Sequence, residues 1–463
     1  MKIYKKIAIS LISVVTLVLL LNIGLNLWVR TKLNTILTQN NKSFYYIKYE
    51  KLDVSLINNS ISVNEISVLT KKVSSDTLLK TKISGSIKSI KVTNIAILRI
   101  LFNDKVEANN VIINSPKITF RTNNENKKKE EEDVVKSLKK TFSISNIYLK
   151  NAALKVVNKQ SNKIIFKAYN LTIELNEVAV SKNTITEIIP FSYKNYSLKC
   201  DSIYFHDNAF YDLKSKEITA TDSKLSISDF KLIPLYSRKQ FVSKITAEKD
   251  LFTISSKEIL INNMKWGFKD SVFFFDTKSV LLDKVTASIY RNKEPKDDLT
   301  RKKLYNSLLR DLKFNLKVDT LKIRNSNLIY EEEITFEKGS GKLFFDNFNL
   351  TATNIQSGFN KKKLPDLNIQ IHCNFMKTSP LNVYWKLNVM DKTDGFRIRG
   401  NITNFDLEKL NPFTKPYVNI KTKGNFAPSL ELLYSQKGSR TGNSQVALAN
   451  DKLTTLVKYK INL

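Results

Sequence analysis

Few residues of this chain are of the types that carry out nucleophilic, acid–base or metal chemistry. The 463 residues include two histidines, His206 and His372, and two cysteines, Cys200 and Cys373. Their spacing fits neither a zinc site nor a disulfide framework. His372 and Cys373 are neighbours on a predicted strand, so their side chains should point to opposite faces. The carboxylates of Glu331–Glu333 could act as acids or bases, but their strand-turn context predicts a solvated edge.

The sequence also lacks the motifs of common enzyme classes. It has no glycine-rich phosphate loop, no Gly-x-Ser-x-Gly elbow and no His-Glu-x-x-His pair. Paired acids for glycoside hydrolysis would need a cleft, which sequence alone does not reveal. We therefore predict that the protein is not an enzyme, and we expect no cofactor and no metal.

A ten-residue phrase recurs five times and indicates that the chain is a long series of strands. It reads IYLKNAALKV from Ile147, IYFHDNAFYD from Ile203, ILINNMKWGF from Ile259, VLLDKVTASI from Val280 and LKIRNSNLIY from Leu321. A variant, VIINSPKITF, begins at Val111. Each half of the phrase alternates with period two, as half-buried strands do. The interval from the third to the eighth position is odd, so a turn or bulge is expected at the fifth, usually Asn or Asp.

The first and third positions of the phrase should share one apolar face, because their intervening neighbours are mostly polar. These positions are Ile147, Leu149, Ile203, Phe205, Ile259, Ile261, Val280, Leu282, Leu321 and Ile323. Two interpretations remain open. One is an ordinary β-sandwich with a dry core, and the other is an elongated sheet whose apolar face holds a ligand such as lipid.

The chain is strongly basic, with 75 Lys and Arg against 43 Asp and Glu and a net charge of +32. The basic residues are scattered, whereas a nucleic-acid-binding protein usually clusters them beside stacking aromatic residues. We therefore expect no nucleic-acid partner. Biased composition accounts for part of the positive charge. A location beside anionic lipid headgroups fits this charge better than nucleic-acid binding does.

The N-terminal segment predicts a membrane anchor. Ile7 to Val29 contains no charge over 23 residues, which is long enough to cross a bilayer as a helix. Lysines precede it, and Trp28 lies where interfacial aromatic residues occur. A cleaved signal peptide is the alternative, but it would have a shorter apolar core. The preceding lysines favour a cytoplasmic amino terminus.

Several other segments have readable patterns. The residues after Phe44 alternate like a hairpin with its turn at Asn58-Asn59. The run NIAILRILF, which ends at Phe102, fits a buried strand or a short helix. The charged residues from Asn123 predict a solvated linker that leads into a short helix. Strands broken by turns are expected from Phe314 onward.

Residues 299–313 predict an amphipathic helix. Leu304, Leu308, Leu309 and Leu312 would form its apolar face. Such a helix would either pack against the sheet or lie on a membrane and cap an apolar groove.

Three segments resemble the AsmA-like family of bacterial envelope proteins, which includes the TamB type. They are the anchor with the following YEKLDVSLINNSISVNEISV block, the phrase NVIINSPKITFRTNNEN from Asn110, and ITNFDLEKLNPF from Ile402 with VNIKTKGNF after it. The chain is shorter than the large family members, and its last 40 residues match the family pattern poorly.

The resemblance implies a single-pass inner-membrane protein whose bulk lies in the periplasm and whose partners are phospholipid and the inner membrane. The expected fold is mainly β, with an elongated, curved, antiparallel-rich sheet that forms a groove, an N-terminal transmembrane helix and one or two short amphipathic helices. We predict an anchor at 1–41, a β region at 42–122, a charged linker with a short helix at 123–141, a repetitive β region at 142–398 and a C-terminal β region at 399–463. The expected function is passage of phospholipid acyl chains for outer-envelope maintenance. The alternative is an assembly factor that contacts outer-membrane or envelope proteins without carrying lipid.

Overall fold

A computed structural model describes residues 31, 45–55, 58–71, 81–95, 105–122, 141–206, 209–300, 302–436, 443–450 and 453–460. Strands greatly outnumber helices in this part of the chain, which confirms the mainly β prediction. Three predicted features lie outside the described residues: the anchor helix at Ile7 to Val29, the charged segment 123–140, and residues 96–102 of the run NIAILRILF. Among the described residues, no helix has both the length and the apolar character needed to cross a membrane.

The chain forms two compact units, and the first comprises residues up to 206 together with 219–221. Its strands are β1 (Tyr45–Lys48), β2 (Lys51–Ser55), β3 (Ser60–Thr70), β4 (Thr81–Thr93), β5 (Lys105–Asn114), β6 (Lys117–Thr122), β7 (Thr141–Asn158), β8 (Ile164–Val180) and β9 (Asn195–His206). β3 pairs antiparallel with β1, β2 and β4, and β4 pairs antiparallel with β5 and β6. β5 and β6 lie parallel to β7, which continues antiparallel into β8 and β9. The turn between β2 and β3 contains Asn58 and Asn59, as predicted.

The second unit comprises residues 207–218 and 222–463. Its strands are β10 (Tyr211–Thr221, most of which belongs here), β11 (Lys224–Pro234), β12 (Leu251–Asn262), β13 (Lys265–Lys269), β14 (Val272–Asn292), β15 (Asn315–Glu333), β16 (Ser340–Gln356), β17 (Leu367–Phe375), β18 (Ser379–Leu387), β19 (Phe396–Asp406), β20 (Asn425–Gln436), β21 (Asn443–Asn450) and β22 (Leu453–Lys460). Its described α-helices are α1 (Arg238–Val242), α2 (Tyr305–Arg310) and α3 (Asn411–Val418), and Leu407–Leu410 forms a 3₁₀ helix just before α3.

The strand pairing of the second unit is mixed. β11, β12 and β14 are antiparallel, and β13 pairs antiparallel with the first residues of β14. β14 and β15 are parallel, which requires the long crossover that contains α2. From β15 to β20 each strand is antiparallel to the next, and β21 pairs with β22. Antiparallel pairs therefore predominate in both units.

A single left-handed residue accommodates the odd interval inside the repeated phrase. The fifth position has φ of +52° at Asn151, +53° at Asn263, +50° at Lys284 and +52° at Asn325. Asn adopts these angles more easily than most residues, and Ser115 adopts them in the variant phrase. The strand register shifts after Leu149 and after Ile323. The predicted break is confirmed in these phrases, whereas Asp207 of the remaining phrase lies outside the described residues.

Helix α2 is shorter than the predicted helix, and its buried side is different. Leu308, assigned to the apolar face, is 48% exposed, whereas Asn306 is 1% exposed. The Asn306 side-chain amide donates to the carbonyl oxygens of Asn388 and Gly395 at 2.8 and 3.1 Å. The predicted apolar face was therefore wrong at Leu308, because these polar contacts to the segment after β18 orient the helix. These contacts favour the alternative in which the helix packs on the protein.

Candidate functional site

Six of the ten predicted face residues form two adjacent cross-strand rows in the second unit. The first apolar row contains Ile261, Val280 and Leu321, and the second contains Ile259, Leu282 and Ile323. Residues directly opposite each other on paired strands project from the same face of a sheet. β12, β14 and β15 thus present these six side chains as one apolar surface.

Both rows continue across neighbouring strands that do not carry the repeated phrase. The first row extends through Leu225, Ala352, Ile369, Trp385 and Ile398, and the second through Ile227, Leu350, Ile371 and Val383. With strands about 4.8 Å apart, the first row runs for roughly 34 Å across eight strands. These residues were not predicted from the sequence, although the strict alternation in LNIQIH and LNVYWKL was a usable signal.

The opposite face of the same strands is mostly polar. Residues that alternate with the first and second apolar rows are Leu260, Leu281, Lys322, Thr351, Gln370, Tyr384 and Arg399. Leu260 and Leu281 are the two aliphatic members of this set. The sheet therefore has one apolar face and one largely polar face, as an antiparallel-rich sheet with one solvated side does.

Most side chains of the apolar rows are half-buried. All ten predicted residues are half-buried, and among the row residues of the second unit only Ala352 is fully buried, at 3% exposure. Near α2, the rows pack against a small buried cluster that includes Leu364, Leu367 and Leu387, with Leu309 of the helix beside it. Elsewhere along the rows the side chains keep apolar surface that a further apolar group could cover.

The four predicted residues of the first unit do not share one pair of rows. Ile147 lies opposite Val111 and Leu175, and Leu149 lies opposite Ile113 and Ile173. Ile203 and Phe205 instead lie opposite Ala168 and Phe166, beyond the left-handed Asn170 of β8. This unit therefore has one apolar patch on each side of the left-handed Asn170. All four predicted residues are half-buried.

The three glutamates at the end of β15 contradict the solvated-edge prediction. Glu331, Glu332 and Glu333 are 5%, 8% and 6% exposed. Arg238, at the start of α1, binds Glu331 through two hydrogen bonds, from Nη1 to Oε2 at 3.0 Å and from Nη2 to Oε1 at 2.7 Å. The Arg238 guanidinium also lies 4.2 Å from the ring centroid of Tyr290. A buried carboxylate needs such a partner, and no local pattern around the glutamates reveals one.

Burial and hydrogen bonding act in opposite directions on Glu331. Burial would raise the pKa of its carboxyl, but hydrogen bonds from Arg238 and Ser340 outweigh burial and lower it. Lys342 adds a second cation, with its Nζ atom 3.7 Å from Glu331 Oε2. Glu331 is therefore an ionised, fixed partner of Arg238 at neutral pH.

Two tyrosines bind Glu332 and Glu333, the other two buried glutamates at the end of β15. The Tyr330 hydroxyl donates to Glu332 Oε1 at 2.6 Å, and the Tyr290 hydroxyl donates to Glu333. Burial, together with these hydrogen bonds, raises the pKa of both tyrosines, so both remain protonated donors. Each carboxylate is thus held by a side chain of the protein, an arrangement that fixes the end of β15.

The cysteines and histidines form no reactive centre in the described part of the chain. Cys200 and Cys373 are free, buried thiols, and burial raises the pKa of Cys373 to about 11. His372 is exposed beside the buried Cys373, which confirms that the two point to opposite faces. Within the described residues, no group of three or more His, Cys, Asp or Glu is placed to hold a metal ion.

Comparison with known proteins adds no family assignment to this geometry. No family model matches the chain, and no curated protein matches it in sequence. The resemblance to AsmA-like proteins therefore stays a prediction.

Proposed function

We propose that this protein is an inner-membrane-anchored periplasmic protein that binds phospholipid acyl chains along its apolar rows and passes them on for outer-envelope maintenance. The observation that carries the proposal is the pair of half-buried apolar rows that stay in register across seven or eight strands. The rows would line an elongated, curved groove whose outer face is the polar side of the sheet.

The chemistry of an acyl chain fits such a surface. Burial of each CH₂ group contributes about 0.8 kcal/mol and needs no fixed polar partner. A series of apolar side chains along the sheet can therefore hold a chain at many positions with similar free energy. This property suits passage along a sheet better than tight binding at one place.

The remaining support comes from the sequence. The uncharged segment Ile7 to Val29 would anchor the protein in the inner membrane, and the segment order resembles that of AsmA-like proteins. The net charge of +32 favours a location near anionic lipid headgroups. No step of this proposal requires a catalytic residue or a cofactor.

Phospholipid should co-purify with residues 42–463 when they are extracted without detergent. The apolar rows would exchange water for acyl chains, so bound lipid should survive gel filtration and be detected by mass spectrometry. Circular dichroism on the same sample establishes that the protein is folded. A folded preparation that carries no phospholipid, but that cross-links to outer-membrane polypeptides in cells, would replace the proposal with an assembly role.

The bulk of the chain should be accessible from the periplasm. Protease added to spheroplasts should digest the residues beyond about 31, because the lysines before Ile7 favour a cytoplasmic amino terminus. A cytoplasmic protein in the same sample should stay intact. Protection of the large domain alongside that cytoplasmic control would show that the predicted orientation is wrong.

A further inference from the structure

The segment between β19 and β20 is closed at its two ends by hydrogen bonds. Residues 407–424 contain the 3₁₀ helix and α3, and the Leu407 backbone N–H donates to the Gly424 carbonyl oxygen at 2.8 Å. The Asn411 side chain closes the same neck, because it accepts from the Thr422 backbone N–H at 2.8 Å and donates to the Thr422 carbonyl oxygen at 3.1 Å. The segment therefore leaves and rejoins the sheet at one place.

The part of the sheet that lies near this segment carries the apolar rows on the same face. Ile369 and Ile371 of β17 belong to the rows, and Phe375 shares their face, because β17 is described throughout and contains no left-handed residue. Phe345 of β16 lies opposite Phe375, with ring centroids 5.3 Å apart. Gly341 lies four residues before Phe345 on the same strand and therefore also shares the face of the rows.

Helix α3 contacts this face at two residues that lie opposite each other. Gly341 pairs with Glu332 of β15, and a Cβ atom at Gly341 would lie 2.6 Å from the Phe413 carbonyl oxygen of α3. The Tyr417 hydroxyl donates a hydrogen bond to the Glu332 carboxylate, and burial together with this bond raises the pKa of Tyr417. α3 is thus seated directly on the ends of β15 and β16.

The 3₁₀ helix covers further apolar side chains beside α3. Leu381 of β18 alternates with the row residues Val383 and Trp385, so it projects from the face of the rows. Leu407 and Leu410 pack against a cluster that includes Leu381, Leu343, Phe375 and Ile402. The segment therefore hides apolar surface that would otherwise continue the rows towards the ends of the strands.

The segment is attached more weakly than α2, which lies at the other end of the rows. No residue from 407 to 424 is fully buried. In α2, by contrast, Asn306 is buried, and the Arg310 guanidinium donates to the Val389 carbonyl oxygen at 2.9 Å and to the Asp394 carboxylate at 2.8 Å. Local opening costs least where few groups are buried. Of the two helical segments on this face, 407–424 should therefore open more easily.

We propose that residues 407–424 form a lid that swings about its neck and admits a phospholipid acyl chain to the apolar surface beneath it. The lid deepens the proposed function and rests on it, because the chain that enters is one bound along the rows. When the lid is closed, Leu407 and Leu410 cover this surface, and when it is open the acyl chain covers it. The exchange replaces one apolar contact with another, so the surface beneath the lid need not be exposed to water.

Gly341→Val tests the lid, because its side chain would meet the backbone of Phe413 and displace α3. Gly339→Asn is the matched control. Gly339 has φ of +72°, which Asn tolerates, and no described atom lies within 4 Å of a Cβ at this position. Tyr417→Phe is a milder variant, which removes the hydrogen bond to Glu332 without adding bulk.

The full chain is reconstituted into vesicles of phosphatidylcholine and phosphatidylglycerol whose acyl chains carry a photoreactive diazirine. Amide hydrogen exchange of residues 411–420 measures opening of the lid, and mass spectrometry locates the attached lipid after illumination. We expect Gly341→Val to increase the exchange rate about tenfold and to raise lipid attachment at residues 373–381 several-fold. Tyr417→Phe should change both in the same direction by a smaller factor, and Gly339→Asn should match the wild type.

Three outcomes would overturn the lid. They are wild-type exchange of residues 411–420 in both variants, faster exchange that extends equally over β15 and β16, and faster exchange of the lid without added attachment at residues 373–381. If lipid still attaches along the rows, these outcomes leave the proposed function intact. A wild-type protein without attached lipid near Ile261 or Ile323 would instead refute the proposed function, and the role of the lid with it.

Discussion

Ile261→Asp and Ile323→Asp should leave the protein folded but free of bound phospholipid. Ile261 lies opposite Leu225 and Val280, and Ile323 lies opposite Leu282, so each substitution places a carboxylate within an apolar row. Facing an acyl chain, a charge loses its hydration without gaining a partner, which is strongly unfavourable. Without lipid, the same half-buried position leaves the carboxylate in contact with water, so the fold should tolerate it.

Leu281→Asp is the matched control for this prediction. Leu281 is aliphatic and half-buried like its neighbours Val280 and Leu282, but it projects from the opposite face of β14. This variant should therefore retain lipid. Circular dichroism and lipid content are measured on the same preparations. Unfolding of the Ile261→Asp and Ile323→Asp proteins would identify the rows as a dry core, and folded variants with wild-type lipid would exclude the rows as the lipid-binding surface.

Arg238→Ala should destabilise the end of β15 by about 3 kcal/mol, because it leaves the buried Glu331 carboxylate without its principal partner. This free energy lies at the low end of the range for removing one partner of a buried ion pair, because Ser340 and Lys342 remain beside the carboxylate. Amide hydrogen exchange of peptides covering residues 328–340 measures the change locally. Arg238→Ala combined with Glu331→Gln should recover most of the loss, since the unpaired charge is then gone. A single variant with unchanged exchange would show that the ion pair contributes little.

Because of the same ion pair, we expect the stability of the end of β15 to depend on pH. The pKa of Glu331 is lowered in the folded protein, so its contribution to stability is complete above the usual glutamate pKa of about 4.3. This contribution is lost as the pH falls through the lower folded-state pKa. Protection of residues 328–340 should therefore decrease on acidification. In the Glu331→Gln variant, the decrease should be smaller, whereas an equal decrease would assign it to other groups.

Local sequence pattern predicted several features of the fold well. The period-two alternation identified strands because alternation depends only on neighbouring residues. The odd interval in the phrase required a break, and Asn263 and Asn325 have the left-handed conformation that supplies it. The hairpin turn at Asn58-Asn59 was predictable for the same reason, since a tight turn depends on a few adjacent side chains.

Features that depend on distant partners were not predictable in this way. Three successive glutamates looked solvated, yet Glu331 is buried because Arg238, 93 residues away, neutralises it. The leucine spacing of 299–313 suggested an apolar helix face, but hydrogen bonds from Asn306 to a segment 82 and 89 residues away orient α2 instead. Period and composition carry no information about such pairings.

The sequence by itself determined that this protein is built from alternating strands with a recurrent left-handed break, because strand period and turn preference are properties of adjacent residues. Only the tertiary structure decided which apolar residues meet. Ile261, Val280 and Leu321 form one row because β12 pairs antiparallel and β15 parallel with β14. A shift of one residue in either register would turn those side chains to the opposite face. Backbone hydrogen bonds between strands distant in sequence set the register, and they thereby create the continuous apolar rows on which the proposed function rests.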